Sequence, residues 1–282
     1  MAVNHSVVTF SCSDKPGIVY ALTGAIVSVC GNITELQQYS SPDTGRFFTR
    51  IQVEHDSGHE ALAAALEVIA QQLNGTLVID EVGRPTRTLI LVSQASHTLA
   101  ALLGRQYAGT LPIDVKLVLG NHEKLAPLAG FYGVPFEHRV IFPDTKAAAE
   151  QRIRDVVVEQ GIELVVLARY MQILSPNLCD FLAGKAINIH HSFLPGFKGA
   201  NPYKQAHARG VKLIGATAHF VTGDLDEGPI IAQSVLPVDH SKGSEALREL
   251  GRDIESTTLL HAVRLFAEHR ILLDGVRTVI FE

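Results

Sequence analysis

Cysteine is scarce in this chain. Its three cysteines, Cys12, Cys30 and Cys179, lie far apart and form no C-x-x-C pair. That spacing supplies neither a disulfide framework nor a thiolate metal site. Basic residues are not clustered: 24 Lys and Arg stand against 29 Asp and Glu, for a net charge of −5. Wrapping nucleic acid needs clustered Lys and Arg, so nucleic acid is not expected as a partner. A small anion can still find a local site. No apolar run approaches the length of a membrane span, and the opening MAVNHSVVTFSC has no basic segment ahead of an apolar core. The expectation is a protein of the reducing cytoplasm, with no membrane partner.

Other absences concern chemistry. None of the thirteen histidines forms H-x-x-x-H on a predicted helix. His190 and His191 are adjacent on a predicted strand, so they are expected to face opposite sides, which is poor chelation geometry. No metal is expected. Ser192 lies in no G-x-S-x-G elbow. Gly104 and Gly109 are the only glycines between the first strand of the second half and the next strand. A dinucleotide fingerprint or phosphate loop there is absent, and no nucleotide cofactor is expected.

What is present is a globular chain of 282 residues, 46% hydrophobic and 19% charged. That is enough for one large domain or two ordinary ones. The first part begins with a β-rich run, Val7 to Cys12, and a turn at Asp14-Lys15-Pro16-Gly17. Ile18, Leu22, Ile26 and Val29 make a helical stripe over 17–30, which Gly31-Asn32 stops. Strand (33–40), hairpin turn (42–45), strand (47–53), helix (59–73) and strand (75–81) follow. The order βαββαβ predicts a small ferredoxin-like sheet with both helices on one face.

Residues 83–87 read as a linker. Strands are then expected over 88–93, 113–119, 164–167, 186–191, 213–221 and 230–238, with a last one at 278–281. Helices are expected over 97–107, 122–131, 145–160, 202–209 and 244–268. This alternation implies right-handed crossovers and an α/β, Rossmann-type, mostly parallel sheet. The expected domains are 1–83 and 84–282.

Two stretches can carry chemistry. In "AINIHHSFLP" (186–195), Asn188 and His190 share one strand face just where the strand ends. An Asn amide can donate to a carbonyl oxygen becoming an oxyanion, and an imidazolium can do the same or pass a proton on. A satisfied core histidine beside a turn-forming asparagine explains the pair equally well. In "HFVTGDLDEGPII" (219–231), Asp224 or Asp226 can face His190, or simply serve the turn.

The run "NIHHSFLPGFKGANPYKQAHARGVKLIGATAHFVTGDLDEGPIIAQ", with "VVLARYMQILS" (165–175), resembles the folate-dependent formyltransferase family. It looks most like the formyltetrahydrofolate deformylase branch, in which Asn-Ile-His is followed by His rather than Pro. "SCSDKPGI", "GNI" and "DTGRFFTRI" in the first part resemble an ACT domain. The resemblance covers nearly the whole chain. It implies a catalytic trio of Asn188, His190 and Asp226. It also implies a pterin pocket built from Met171, Gln172, Ile173, Leu174, Val221, Thr222, Gly223, Asp224 and Leu225. For the first part it implies Asp14, Gly17, Asn32 and Ile33 at the position where paired ACT domains hold an amino-acid effector, hence a homo-oligomer. An ACT domain used for assembly alone remains the other reading.

Related transformylases carry a Gly- and Ser-rich loop for the acceptor's phosphate; here that segment is "VSQASHTLAALL" (92–103). It has no row of glycine amides for a phosphate. The implied activity is therefore hydrolysis of 10-formyltetrahydrofolate, the folate being substrate rather than cofactor. Transfer to an unidentified amine and a non-catalytic folate or amino-acid sensor stay open. His138 and His219 are secondary candidates. Lys198, Lys204 and Arg209 are candidates for the folate's carboxylate tail, although a solvated side chain is the better account of each.

Overall fold

A computed structural model describes residues 3–195 and 202–282. The chain divides into two units, Met1–Arg84 with Glu268–Glu282, and Pro85–Ala267.

The first unit runs β1 (Asn4–Ser13), α1 (Ile18–Ser28), β2 (Asn32–Ser41), β3 (Arg46–His55), α2 (His59–Leu73) and β4 (Thr76–Glu81). The strands are antiparallel in the order β2-β3-β1-β4. Alternation along β1 puts Val8 and Cys12 on one face, opposite Ile51 and Phe47 of β3. Those side chains share a core with Ile18, Leu22 and Ile26 of α1 and Leu62, Leu66 and Ala70 of α2. Both helices therefore cover one face, as the pattern predicted. Asp14 and Gly17 lie in the β1–α1 loop, where Gly17 adopts φ 93°, and Asn32 and Ile33 open β2.

The other face carries a correction. Residues 268–282 were expected in the second domain, with one strand at 278–281. They belong to the first unit and form a hairpin, Ile271–Asp274 against Arg277–Ile280. The tie is ionic. Arg50 of β3 is 2% exposed, and its guanidinium lies 3.1 Å from Glu35. Arg270 meets the same carboxylate at 3.4 Å, while Arg50 Nε donates to the Glu268 carbonyl at 3.2 Å. A buried arginine needs such partners.

In the second unit β5 (Thr86–Val92) leads through α3 (His97–Tyr107) to β6 (Ile113–Gly120), α4 (Ala126–Phe131), β7 (Phe136–His138), α5 (Lys146–Glu159), β8 (Leu164–Ala168), α6 (Pro176–Phe181) and β9 (Ala186–His190). α7 (Pro202–Ala208), β10 (Leu213–Phe220), β11 (Ile230–Pro237) and α8 (Ser244–Ala267) complete it. The sheet order is β11-β10-β9-β8-β5-β6-β7. β9 through β7 are parallel, and β10 and β11 alternate in direction beside them. This is the mostly parallel α/β sheet expected. Leu89, Leu91, Val165 and Leu167 join Ile153 and Val156 of α5 in one core. α8 lies against α3 and against β9, β10 and β11. With helices on two sides, the run Leu89-Ile90-Leu91-Val92 is fully buried and needs no polar alternation.

Three elements went unforeseen: β7, α6 and the strand at Ile271–Asp274. The helix expected over 122–131 is shorter, because Glu123–Leu125 is a 3₁₀ turn. α6 had a readable start: Ser175 Oγ accepts from Leu178 N at 3.3 Å and Pro176 opens the first turn. The chain leaves β5 toward β6 and β7, then returns to β8 on the other side. That reversal is a topological switch point, where open α/β sheets form a crevice beyond the strand carboxyl ends.

Candidate active site

Asn188 and His190 sit on one face of β9 at its carboxyl end. β10 runs antiparallel beside it, with His219 opposite Asn188 and Thr217 opposite His190. Opposed residues share a face, so this register sets a second histidine against Asn188. His219 Nδ1 donates to the Phe220 carbonyl at 2.8 Å. Its Nε2 stands 3.3 Å from Asn188 Nδ2 and 3.7 Å from Asp226 Oδ1. Thr217 Oγ1 accepts from Leu194 N and donates to the Ser192 carbonyl, each at 3.0 Å, tying the loop after β9 to β10.

Asp226 arrives from the β10–β11 loop and places Oδ2 3.2 Å from His190 Nδ1. The His190 and His219 rings hold its carboxyl far below the ordinary carboxylate range, against the opposing effect of burial. His190 is 5% exposed, and its Nε2 has no hydrogen-bond partner among the described residues. Asp226 adopts φ 58°, a conformation that Asp tolerates better than most residues. Gly228 makes the loop's return possible: a Cβ there would stand 1.8 Å from the Phe220 carbonyl oxygen. Backbone cannot yield as a side chain can. Gly228→Ala is therefore expected to push the loop off β10, costing about 1–3 kcal/mol of stability. kcat/KM should fall about a hundredfold as Asp226 loses its place. Urea unfolding and steady-state kinetics check both, and a variant within twofold of wild type in kcat/KM refutes this account of the loop.

A cavity of about 600 Å³ opens at the β8 and β9 ends, lined by Asn188, His190 and Asp226. Met171, Gln172, Ile173 and Leu174 line one wall, and Val221, Thr222, Gly223, Asp224 and Leu225 another. All twelve residues singled out for the trio and the pocket thus surround one space. Met171 N donates to Ser93 Oγ at 2.9 Å, pinning the segment after β8 to the end of β5. Met171, Ile173 and Leu225 are each at least 60% exposed and give the cavity an apolar rim.

Residues 86–263 match the family described as formyl transferase. The chain belongs to the formyl transferase family. Relatives that match along nearly the whole chain are named deformylases. The formyltetrahydrofolate deformylase of Corynebacterium sp. (strain P-1) is 47% identical over 281 residues, covering 99% of this chain and 98% of its own. The crystal structure of formyltetrahydrofolate deformylase from Burkholderia mallei has a TM-score of 0.96 and 48% identity, covering 99% of this chain and all of that one. The glycinamide ribonucleotide transformylase 1 of Symbiobacterium toebii has a TM-score of 0.65 at 32% identity, covering 72% of this chain and 97% of that one. The match to the deformylases thus runs through both units.

One expectation about the site is wrong. His191 was expected on the face opposite His190. β9 ends at His190, so strand alternation no longer governs the next residue. The two rings stack, with centroids 4.9 Å apart and planes 20° apart, and both line the cavity. Beside them lies a polar cluster the sequence did not reveal. Glu255 of α8 is 1% exposed; it accepts from Tyr203 Oη at 2.6 Å and pairs with His97 Nε2 at 2.8 Å. Arg169 Nε is 3.4 Å from the same carboxylate. Burial works to raise the Glu255 carboxyl; the His97 hydrogen bond, the Arg169 charge and the Tyr203 hydrogen bond outweigh it and hold the value below normal.

His219, weighed only as secondary, touches two of the trio. His138 instead pairs with Glu123 at 3.2 Å and does not line the cavity. Lys204 lines the cavity and Arg209 does not, while Lys198 lies outside the described residues. Among the described residues, no group of three or more His, Cys, Asp or Glu is placed to hold a metal ion, and no helix is long and apolar enough to cross a membrane.

Proposed function

We infer that this cavity hydrolyses 10-formyltetrahydrofolate to tetrahydrofolate and formate. The observation that carries the inference is the meeting of Asn188, His190 and Asp226 in a cavity of the second unit. The segment after β5 has no glycine-rich cradle for a phosphorylated acceptor, and the relatives that match both units are named deformylases. Water's oxygen bonds to the formyl carbon. The Asn188 amide and His190 Nε2–H donate to the oxygen that becomes negative. Asp226 on the far ring nitrogen orients the ring and stabilises positive charge as it develops there. The carbon–N10 bond then breaks. One water proton reaches N10 through His190, and the other leaves as formic acid ionises to formate. The backbone of Met171–Leu174 and Val221–Leu225 supplies donors and acceptors for the pterin edge, and the apolar rim covers the ring. No cofactor enters this scheme.

The βαββαβ order of the first unit supports reading it as an ACT domain of regulation or assembly. In that reading paired domains make a homo-oligomer, and Asp14, Gly17, Asn32 and Ile33 surround an amino-acid effector. Cys12, Cys30 and Cys179 are all free, in keeping with a cytoplasmic setting.

Pure protein mixed with 10-formyltetrahydrofolate, with no acceptor present, should release formate and tetrahydrofolate in equal amounts. His190→Ala should be slower by at least about a hundredfold. Release that appears only when an amine is added replaces hydrolysis with transfer.

A further inference from the structure

We propose that His191 holds the attacking water, accepting a hydrogen bond from it through an unprotonated ring nitrogen beside the formyl carbon. The proposal rests on the hydrolytic reading above and assigns a residue to its water side. Hydrolysis needs a defined place for the nucleophile, and Asn188 and His190 are committed to the oxyanion.

Four observations converge on His191. Its ring stacks on His190 and lines the same cavity. Its ring meets His190 and, at 6.5 Å, Tyr203, and neither nitrogen has a hydrogen-bond partner among the described residues. Of the three carboxylates that line the cavity, two are already engaged: Asp226 by His190 and His219, and Glu255 by Tyr203, His97 and Arg169. The ring is also held neutral. Burial, then the Arg169 charge and then His190 push its pKa down to about 4, and the opposing charges of Glu255 and Asp226 do not restore it. A neutral imidazole keeps one nitrogen as an acceptor. A pKa that low makes it a poor proton sink at neutral pH, so it orients the water and the proton follows the His190 route.

Glu255 fixes this arrangement from behind. It holds Tyr203, which packs on His191, and it anchors Arg169, which helps to keep the ring unprotonated. Glu255 is thus a positioning residue, acting through its neighbours.

The test compares two nucleophiles. Formate release and formyl transfer to added hydroxylamine are measured for wild type, His191→Ala, His191→Asn and Asn188→Ala. Hydroxylamine is small and does not depend on a prepared water site. His191→Ala should lose hydrolysis by about a hundredfold, with KM within about twofold, and keep hydroxylamine transfer within about threefold. His191→Asn, which retains an acceptor, should recover about a tenth of wild-type hydrolysis. Asn188→Ala should lose both reactions together. The proposal is overturned if His191→Ala hydrolyses within threefold of wild type, or if it loses both reactions in equal measure, which would make the ring a prop for His190. A wild-type protein that releases no formate overturns the underlying hydrolytic reading, a result distinct from either.

Discussion

Asp226→Asn is expected to lower kcat for formate release by about three orders of magnitude while KM and fold are little changed. The argument begins with size. Asn occupies the same volume, so the loop held by Gly228 against Phe220 has no reason to move. What changes is charge. The carboxylate sits 3.2 Å from His190 Nδ1 and 3.7 Å from His219 Nε2, and among the described residues no other carboxylate is paired with either ring. An amide neither supplies a counter-charge to the ring nor fixes which ring nitrogen carries the proton. His190 then meets the formyl oxygen in the wrong state. The wild-type carboxyl is held far below the ordinary range, so it stays ionised from pH 8 down past the unfolded carboxylate value of about 3.9. An acid limb of the wild-type pH–rate profile above pH 5 therefore belongs to another group. Stopped-flow and steady-state kinetics across pH 5–9 measure both points. An Asn variant with near wild-type kcat would sink the assignment of Asp226.

How much of this was legible beforehand depends on the kind of constraint. Period-two and period-3.6 patterns are local, so β1 to β4, the two helices of the first unit and the unbroken run of β5 were readable. The pairing of Asn188 with His190 needed strand alternation alone. The partners of that pair did not follow from local pattern. His219 reaches Asn188 only because β10 turns antiparallel to β9 in one register, and alternation cannot choose among registers. His191 was misplaced because one residue decides where β9 stops, and element ends are the least readable feature of a sequence. His97, Arg169, Tyr203 and Glu255 come from α3, the end of β8, α7 and α8, with more than 150 residues between first and last. No spacing rule links them. The C-terminal hairpin likewise joins the first unit through Arg50, Glu35 and Arg270, an ion cluster assembled by folding and not by sequence proximity.

That distant cluster leads to the largest stability effect expected here. Glu255→Gln should destabilise the protein by about 3 kcal/mol near pH 7, the lower end of the range for breaking a buried charge pair. Glu255 is 1% exposed, so water cannot replace what the substitution removes. The glutamine carbonyl can still accept from Tyr203 Oη. Its amide, however, turns donors toward His97 Nε2 and Arg169 Nε, which are donors themselves. Arg169 is then a half-buried cation without its counter-charge. The pH dependence has a definite sign. The folded Glu255 carboxyl lies below its unfolded value, so its contribution is fully present above about pH 4.3 and is lost as pH falls through the lower folded value. The gap between wild type and Glu255→Gln should therefore hold steady from pH 5 to 8 and narrow below about pH 4. Urea unfolding midpoints of the two proteins at four pH values measure it. A gap that is small at pH 7, or one that widens in acid, would show that Glu255 is not the buried anion that organises the cavity wall behind His191.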